Sequence, residues 1–444
     1  MCIFRPSFPN EINPAPLENN NGGSFSIPVK VLGIPDIFIT KTEINEDGKL
    51  IIHAESTAKG TECHKCGKHT SEFKRYGDPI LLRHVDICGY ETYICIRPKI
   101  YACACDRNST TTQVLPWSTK NIAITKAFED FVLLELINST ISDVSIKHNI
   151  GYDAIEGILK RRINSKTDWS KIDKIDILGI DEISLKKGHN DFVTVITGRI
   201  GDNILILGVL KGRLKKTVRK FLRTIPRRIR KTVKVVCSDM YDGFINSAKE
   251  VFSRNIIIVA DRFHVAKLYR GCLDNLRKKE MKRLKGKLSK KEYGRLKGAM
   301  WILRKKEGDL TKEERKTLNL LFKYSPDLKC AYNIVNELTL IFESDISKFH
   351  AKHKINSWIR RVQNSGLTCF NRFINTLIKY KNEIANYFID RNSSGFVEGL
   401  NNKIKVIKRR CYGITNIGHL FQRIYLDISG FSLLLPLTKN QALR

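Results

Sequence analysis

No apolar run in this chain approaches the length needed to cross a membrane. The longest, such as Ile256–Ala260 and Phe431–Leu437, suit a strand or a packed core. The opening residues, MCIFRPSFPNEINPAPLENN, lack the basic stretch and apolar core of a secretory signal. There is no lipidation motif, no amphipathic surface anchor and no internal repeat. These absences argue against a membrane protein and predict a cytoplasmic one. Acidic residues are also scarce: 45 Asp and Glu stand against 78 Lys and Arg, a formal net charge of +33. An imbalance that large implies a polyanionic partner. Without an anchor, an anionic membrane surface falls behind nucleic acid as that partner.

With 444 residues, 42% of them hydrophobic, the chain can bury sizeable cores, and its length predicts roughly two to four domains. Twelve cysteines in a reducing compartment argue for metal ligands or buried thiols, not a disulfide framework. After a tail rich in Pro, Asn and Gly, Val31–Ile39 and Leu50–Ala54 read as strands flanking a Glu46-Asp47-Gly48 turn. Cys63-His64-Lys65-Cys66-Gly67 has the spacing of a zinc knuckle, and its glycine lets backbone amides turn toward thiolate sulfur. The return pair Cys103-Ala104-Cys105 is tighter than the usual two-residue spacing. Cys88 or Cys95 could replace one of its members, and ordinary buried cysteines are the plainer alternative. Glu91–Arg97 and Ile100–Ala102 read as strands between the pairs. Four thiolates would suit structural Zn²⁺.

Ala127–Ile137 reads as an apolar-faced helix. Ser142 is placed as the cap of a short helix, Gly151 as its breaker, and Tyr152–Ile163 as a longer helix with the basic end Lys160, Arg161 and Arg162. That order is helix-turn-helix, although many packed helical hairpins look the same. Beyond Asp173 the pattern becomes α/β. Strands are predicted over Ile175–Ile180, Phe192–Thr197, Ile204–Val209, Val233–Cys237 and Asn255–Ala260, with helices over Leu214–Ile225 and Gly243–Phe252. Three consecutive strands followed by helix-strand-helix-strand match an RNase H-like fold. From Lys267 to about Tyr387 the chain reads as helical and very basic.

Three of these strands end in a carboxylate: Asp181, Asp239 and Asp261. Any one alone is more simply a turn or a helix cap. Three in one small sheet can converge on a point, and carboxylates with water are what Mg²⁺ prefers. Two such ions can activate a nucleophile and stabilise the leaving oxygen of an in-line displacement.

The pieces CHKCG, ILGIDEISLKKGHNDFVTVI, VVCSDMYDGF, VADRFHVAKL and SSGFVEGLNNKIKVIKRRCYGITN run in order from residue 63 to residue 416. On these motifs the chain resembles the ISL-three family of bacterial insertion-sequence transposases. The resemblance implies a carboxylate triad of Asp181, Asp239 and Glu398 holding two Mg²⁺ (or Mn²⁺) ions. It leaves Asp261 as a structural or substrate-contacting residue, or as the second Asp in place of Asp239. His264 could contact DNA or Asp261, or be a core histidine. Lys403, Lys405, Lys408, Arg409 and Arg410 after Glu398 would clamp DNA phosphates; a solvated charged face is the alternative.

The implied partners are double-stranded DNA, as terminal inverted repeats and target, and a second copy of the chain in a homodimer or larger synaptic assembly. The implied layout is multidomain α+β: a tail (1–28), a zinc-ribbon-like β domain (29–115), a helix-turn-helix region (116–168), an RNase H-like core (169–270), an all-helical insertion (271–390) and a C-terminal catalytic helix region (391–444). Two rivals remain at this level: a zinc-dependent DNA-binding regulator without catalysis, and an RNase H-like nuclease that cleaves but does not join.

Overall fold

The computed structural model describes residues 27–435, except 185–191, 254, 306, 393–394 and 412–415; the side chains of residues 107, 108, 307 and 396–398 also lie outside the description. The fold is mixed α/β, with about half of the residues helical. It divides into two compact units, Met1–Leu134 and Glu135–Arg444.

The first unit is built on short strands. Ile37–Ile44 and Leu50–Ser56 pair antiparallel around the expected turn, where Gly48 takes φ 72°. Thr92–Ile96 lies parallel to the second of them, and Ile80–Arg83 closes the sheet. Ile52, Leu82, Ile94 and Ile96 are buried between them. The strand expected from Val31 begins only at Ile37. Val29–Leu32 forms a helical turn that Gly33 ends in the left-handed region, and Pro35 blocks any earlier strand start. A second sheet combines Glu72–Tyr76, Lys99–Cys103 and Asp106–Thr112, and a two-residue ladder joins Thr61–Glu62 to His69–Thr70.

The second unit opens with two short helices, α1 (Ile141–His148) and α2 (Tyr152–Arg162). The cap of α1 is Thr140, not Ser142: its hydroxyl accepts from the Asp143 N–H at 3.0 Å, which starts the helix one residue before Ser142. Asn149 ends α1 in the left-handed region and Gly151 precedes α2.

A five-stranded sheet follows: β1 (Ile177–Ser184), β2 (Phe192–Ile200), β3 (Asn203–Lys211), β4 (Val235–Ser238) and β5 (Ile257–Ala260), in the order β3-β2-β1-β4-β5. The first three are antiparallel; β1, β4 and β5 are parallel. α3 (Lys215–Thr224) links β3 to β4, and α4 (Asp242–Val251) links β4 to β5. α3 packs so closely that a Cβ at Gly208 would lie 2.5 Å from the Phe221 ring.

Side chains of β1 alternate between faces. Leu178 and Ile180 join the larger core, with Phe244, Val265 and the helices beyond β5. Ile183 joins a smaller core with Leu400, Ile404, Ile407 and Phe421. After β5 the chain is helical, through α5 (Arg262–Lys287), α6 (Pro326–Glu343) and α7 (Lys348–Asn364). Trp358 is fully buried there, its indole N–H donating to the Ile334 carbonyl at 2.8 Å.

Two last helices, α8 (Gly395–Arg410) and α9 (Ile417–Leu434), complete the unit. α9 clasps the opening pair: Gln422 donates to the Ile163 carbonyl at 2.6 Å, and Arg423 to the carbonyls of Leu136 and Ser139 at 2.9 and 2.8 Å. Among the described residues no helix is long and apolar enough to span a membrane.

Candidate active site

The sheet register assembles the acidic site. Ile180 of β1 pairs with Ser238 of β4, and Ser238 pairs with Ala260 of β5. The next residue in each strand direction is Asp181, Asp239 and Asp261, so three carboxylates fall in a row across adjacent parallel strands. Asp239 and Asp261 follow their strands, as expected. Asp181 does not end its strand: β1 runs on to Ser184, because antiparallel pairing with β2 continues (Asp181 opposite Val195) after β4 has stopped.

Asp181 is buried, and one of its oxygens accepts the Glu182 N–H at 2.6 Å. Asp239 receives His264 Nδ1 at 2.6 Å, and the same nitrogen lies 3.0 Å from Asp261. Asp181, Asp239 and His264 each offer a ligand atom, all within 4.8 Å of one another. Burial, and then the charge of Asp239, push Asp181 up to about 7. Burial lowers His264, but its hydrogen bonds to Asp239 and Asp261 outweigh that and lift it to about 10. Two like charges packed beside a buried strand are costly, and a cation between them would remove the cost.

Asp261 is occupied differently. It is the N-cap of α5, where it accepts from the Phe263 N–H at 3.0 Å while its other oxygen faces His264. Among the described residues it is not part of the trio whose ligand atoms cluster. Glu398 lies near the start of α8, and its side chain is outside the described residues. Three residues later on that helix, the buried Asn401 donates its amide N–H to Asp181. Asn401 lies in the FVEGLNN motif, where composition alone gives it no role. Its signal was the spacing: positions three apart share a helix face.

The basic residues divide. Lys160, on α2, is exposed and pairs with Glu156 at 2.6 Å; Arg161 is exposed and Arg162 is half-buried. On α8, Lys405 and Arg409 are exposed, and Lys408 donates to the Ser184 carbonyl at 2.9 Å. Lys403 donates to the Asp427 carbonyl at 2.5 Å, and Arg410 pairs with the buried Asp427 carboxylate at 3.0 Å. The stripe thus serves packing as well as surface.

In the first unit, Cys63, Cys66, Cys103 and Cys105 converge. Cys63 Sγ lies 3.6 Å from Cys105 Sγ, and Cys66 Sγ lies 3.7 Å from Cys103 Sγ. Tetrahedral zinc with bonds of about 2.3 Å to sulfur needs sulfur pairs about 3.8 Å apart, so the cluster fits that ion. Backbone N–H groups of Cys66 and Lys65 pull Cys63 down to about 6. Gly67 takes φ 70°, the conformation the knuckle turn requires. Cys88 and Cys95, weighed as substitutes, are not members of this group.

A family profile described as "Transposase", of the ISL3 type, matches residues 178–424, more than half of the chain. The transposase for insertion sequence element IS1001 from Bordetella parapertussis is 26% identical over 391 residues, covering 86% of this chain and 92% of that protein. The transposase for insertion sequence element IS1557 from Mycobacterium tuberculosis is 23% identical over 427 residues, covering 91% of this chain and 94% of that protein. Beside a sheet that lines up three acidic residues, these matches decide against a regulator without transposition: the chain belongs to the ISL-three (ISL3) family of insertion-sequence transposases, and its function is DNA transposition.

Proposed function

We propose that the second unit is an RNase H-like catalytic core of the DDE type, in which Asp181, Asp239 and Glu398 are the catalytic carboxylates. The observation that carries this reading is the strand register that sets Asp181 beside Asp239. Support for Glu398 is its place less than one helical turn before Asn401, the residue that touches Asp181. Divalent ions bound by these carboxylates, Mg²⁺ or Mn²⁺, supply Lewis acidity for cleaving and rejoining a phosphodiester. Asp181 is held on both oxygens, by the Glu182 amide and by Asn401. Asp239 is aimed by His264, which Asp261 orients in turn. In this reading Asp239, not Asp261, is the second catalytic Asp, and Asp261 caps α5 and fixes the imidazole.

The cysteine cluster is proposed to bind structural Zn²⁺, and its unit, with α1 and α2, to read the terminal inverted repeats of the element. Lys160, Arg161, Arg162, Lys405, Lys408 and Arg409 would contact DNA phosphates. Lys403 and Arg410 are tied to Asp427 and would hold α8 against α9 instead. Residues 271–390 fit an all-helical insertion between the strands and the Glu398 helix. The enzyme would act on nucleoid DNA in the cytoplasm, as a homodimer or larger assembly that brings two ends together.

The test is a cleavage and strand-transfer assay on element-end duplexes with Mg²⁺ or Mn²⁺. Wild type should free a 3′-hydroxyl and join it to a target plasmid, whereas Asp181→Ala, Asp239→Ala and Glu398→Ala should do neither. Cleavage without joining would favour a nuclease, and full activity in Asp239→Ala would overturn the assignment of the second Asp.

A further inference from the structure

Asn401 reaches Asp181 across 220 positions of sequence. α8 brings it there because Leu400, Ile404 and Ile407 seat the helix on the same face of β1 that carries Asp181 and Ile183. As a ligand of a divalent ion Asp181 is ionised and only accepts, and the amide nitrogen of Asn401 is the atom that faces it. The amide oxygen then points elsewhere. It is buried, and among the described residues it makes no hydrogen bond. Buried polar atoms are rarely left this way, and an orphan acceptor beside a carboxylate pair marks a place for a donor or a cation.

We propose that Asn401 is a positioning residue of the acidic site: its amide N–H locks Asp181 in its ligating rotamer, and its amide oxygen accepts a hydrogen bond from a water held there. The inference rests on the reading of Asp181 and Asp239 as divalent-ion ligands. It adds to that reading a neutral polar group that neither strand supplies. Groups that orient a ligand in this way typically change metal affinity by roughly 10- to 100-fold when removed.

The experiment uses the full chain with Mn²⁺ as probe, in wild type, Asn401→Leu, Asn401→Ala, Asn401→Gln and Asp181→Ala. Mn²⁺ affinity is measured by calorimetry and paramagnetic resonance, metal-free melting temperature by circular dichroism, and cleavage as a function of Mn²⁺ concentration. Both Asn401→Leu and Asn401→Ala should weaken Mn²⁺ binding roughly 10-fold or more. Both should melt close to wild type without metal, and both should recover most of kcat at saturating Mn²⁺. Asn401→Gln, which keeps the amide, should regain part of the affinity. Unchanged Mn²⁺ affinity in the Leu and Ala variants, with affinity lost in Asp181→Ala, would overturn the role of Asn401 alone. Mn²⁺ binding that ignores Asp181→Ala would overturn the metal-site reading and this inference with it.

Discussion

The cysteine cluster and the carboxylate cluster are both gatherings of metal-type ligands, built by opposite routes. The cysteines come as two close pairs, Cys63 with Cys66 and Cys103 with Cys105, each placed by a local turn. The carboxylates come singly, from separate strands, and meet only because β1, β4 and β5 are parallel and in register. In a small unit with short strands and a modest core, four thiolates can substitute for buried apolar area. In the larger unit the core is ample, and on the proposed reading its carboxylates are left for chemistry. A cluster made by local turns stabilises its surroundings, whereas one made by sheet register reports that the whole sheet has formed.

That contrast can be broken, beginning where the effect should be largest. Asp181→Ala or Asp239→Ala should lower cleavage by roughly 10³-fold or more while binding of the end duplex persists, because only transition-state stabilisation is removed. Cleavage rates beside a gel-shift titration check this. If the cluster holds structural zinc as proposed, Cys63→Ser or Cys103→Ser should do the reverse: zinc content falls from one equivalent per chain, and the first unit loses protease resistance. Elemental analysis with limited proteolysis reads it, and a zinc-free wild type with an intact first unit would count against a structural metal.

Asp261→Ala should lie between these. Loss of the α5 cap costs about 1 kcal/mol, and a His264 held by Asp239 alone should lower cleavage roughly 10- to 100-fold, less than Asp239→Ala. If Asp261→Ala is the more damaging of the two, the order of the pair is reversed. The smallest effects should come from the basic helix. Lys405→Ala should reduce the salt slope of DNA binding by about one unit with unchanged stability. Arg410→Ala should leave that slope alone and lower the melting temperature, since it takes one of two guanidinium partners from the buried Asp427 carboxylate and leaves only Arg423.

How far the sequence could be read follows the range of the interactions. The two short helices parted near Gly151, the Gly48 turn and the closeness of Cys63 to Cys66 were legible because each depends on neighbours a few residues away. The errors were of boundary and competition. Thr140 took the cap expected of Ser142, Pro35 delayed a strand, and β1 ran past Asp181 because β2 goes on pairing where β4 ends. The basic stripe looked uniform in sequence, yet helical rotation brings Lys403 and Arg410 within reach of Asp427, while Lys403 and Lys405 both stay exposed.

The sequence by itself determined the charge, the order of elements and the residue types able to hold metal ions, since these are set by composition and local periodicity. Only the tertiary structure decided which carboxylates are neighbours, that His264 bridges Asp239 and Asp261, and that Asn401 touches Asp181. The physical reason is that such contacts are fixed by strand register and by which face of β1 a distant helix covers. Neither is encoded in any short stretch of chain; both follow from burying all the apolar faces at once.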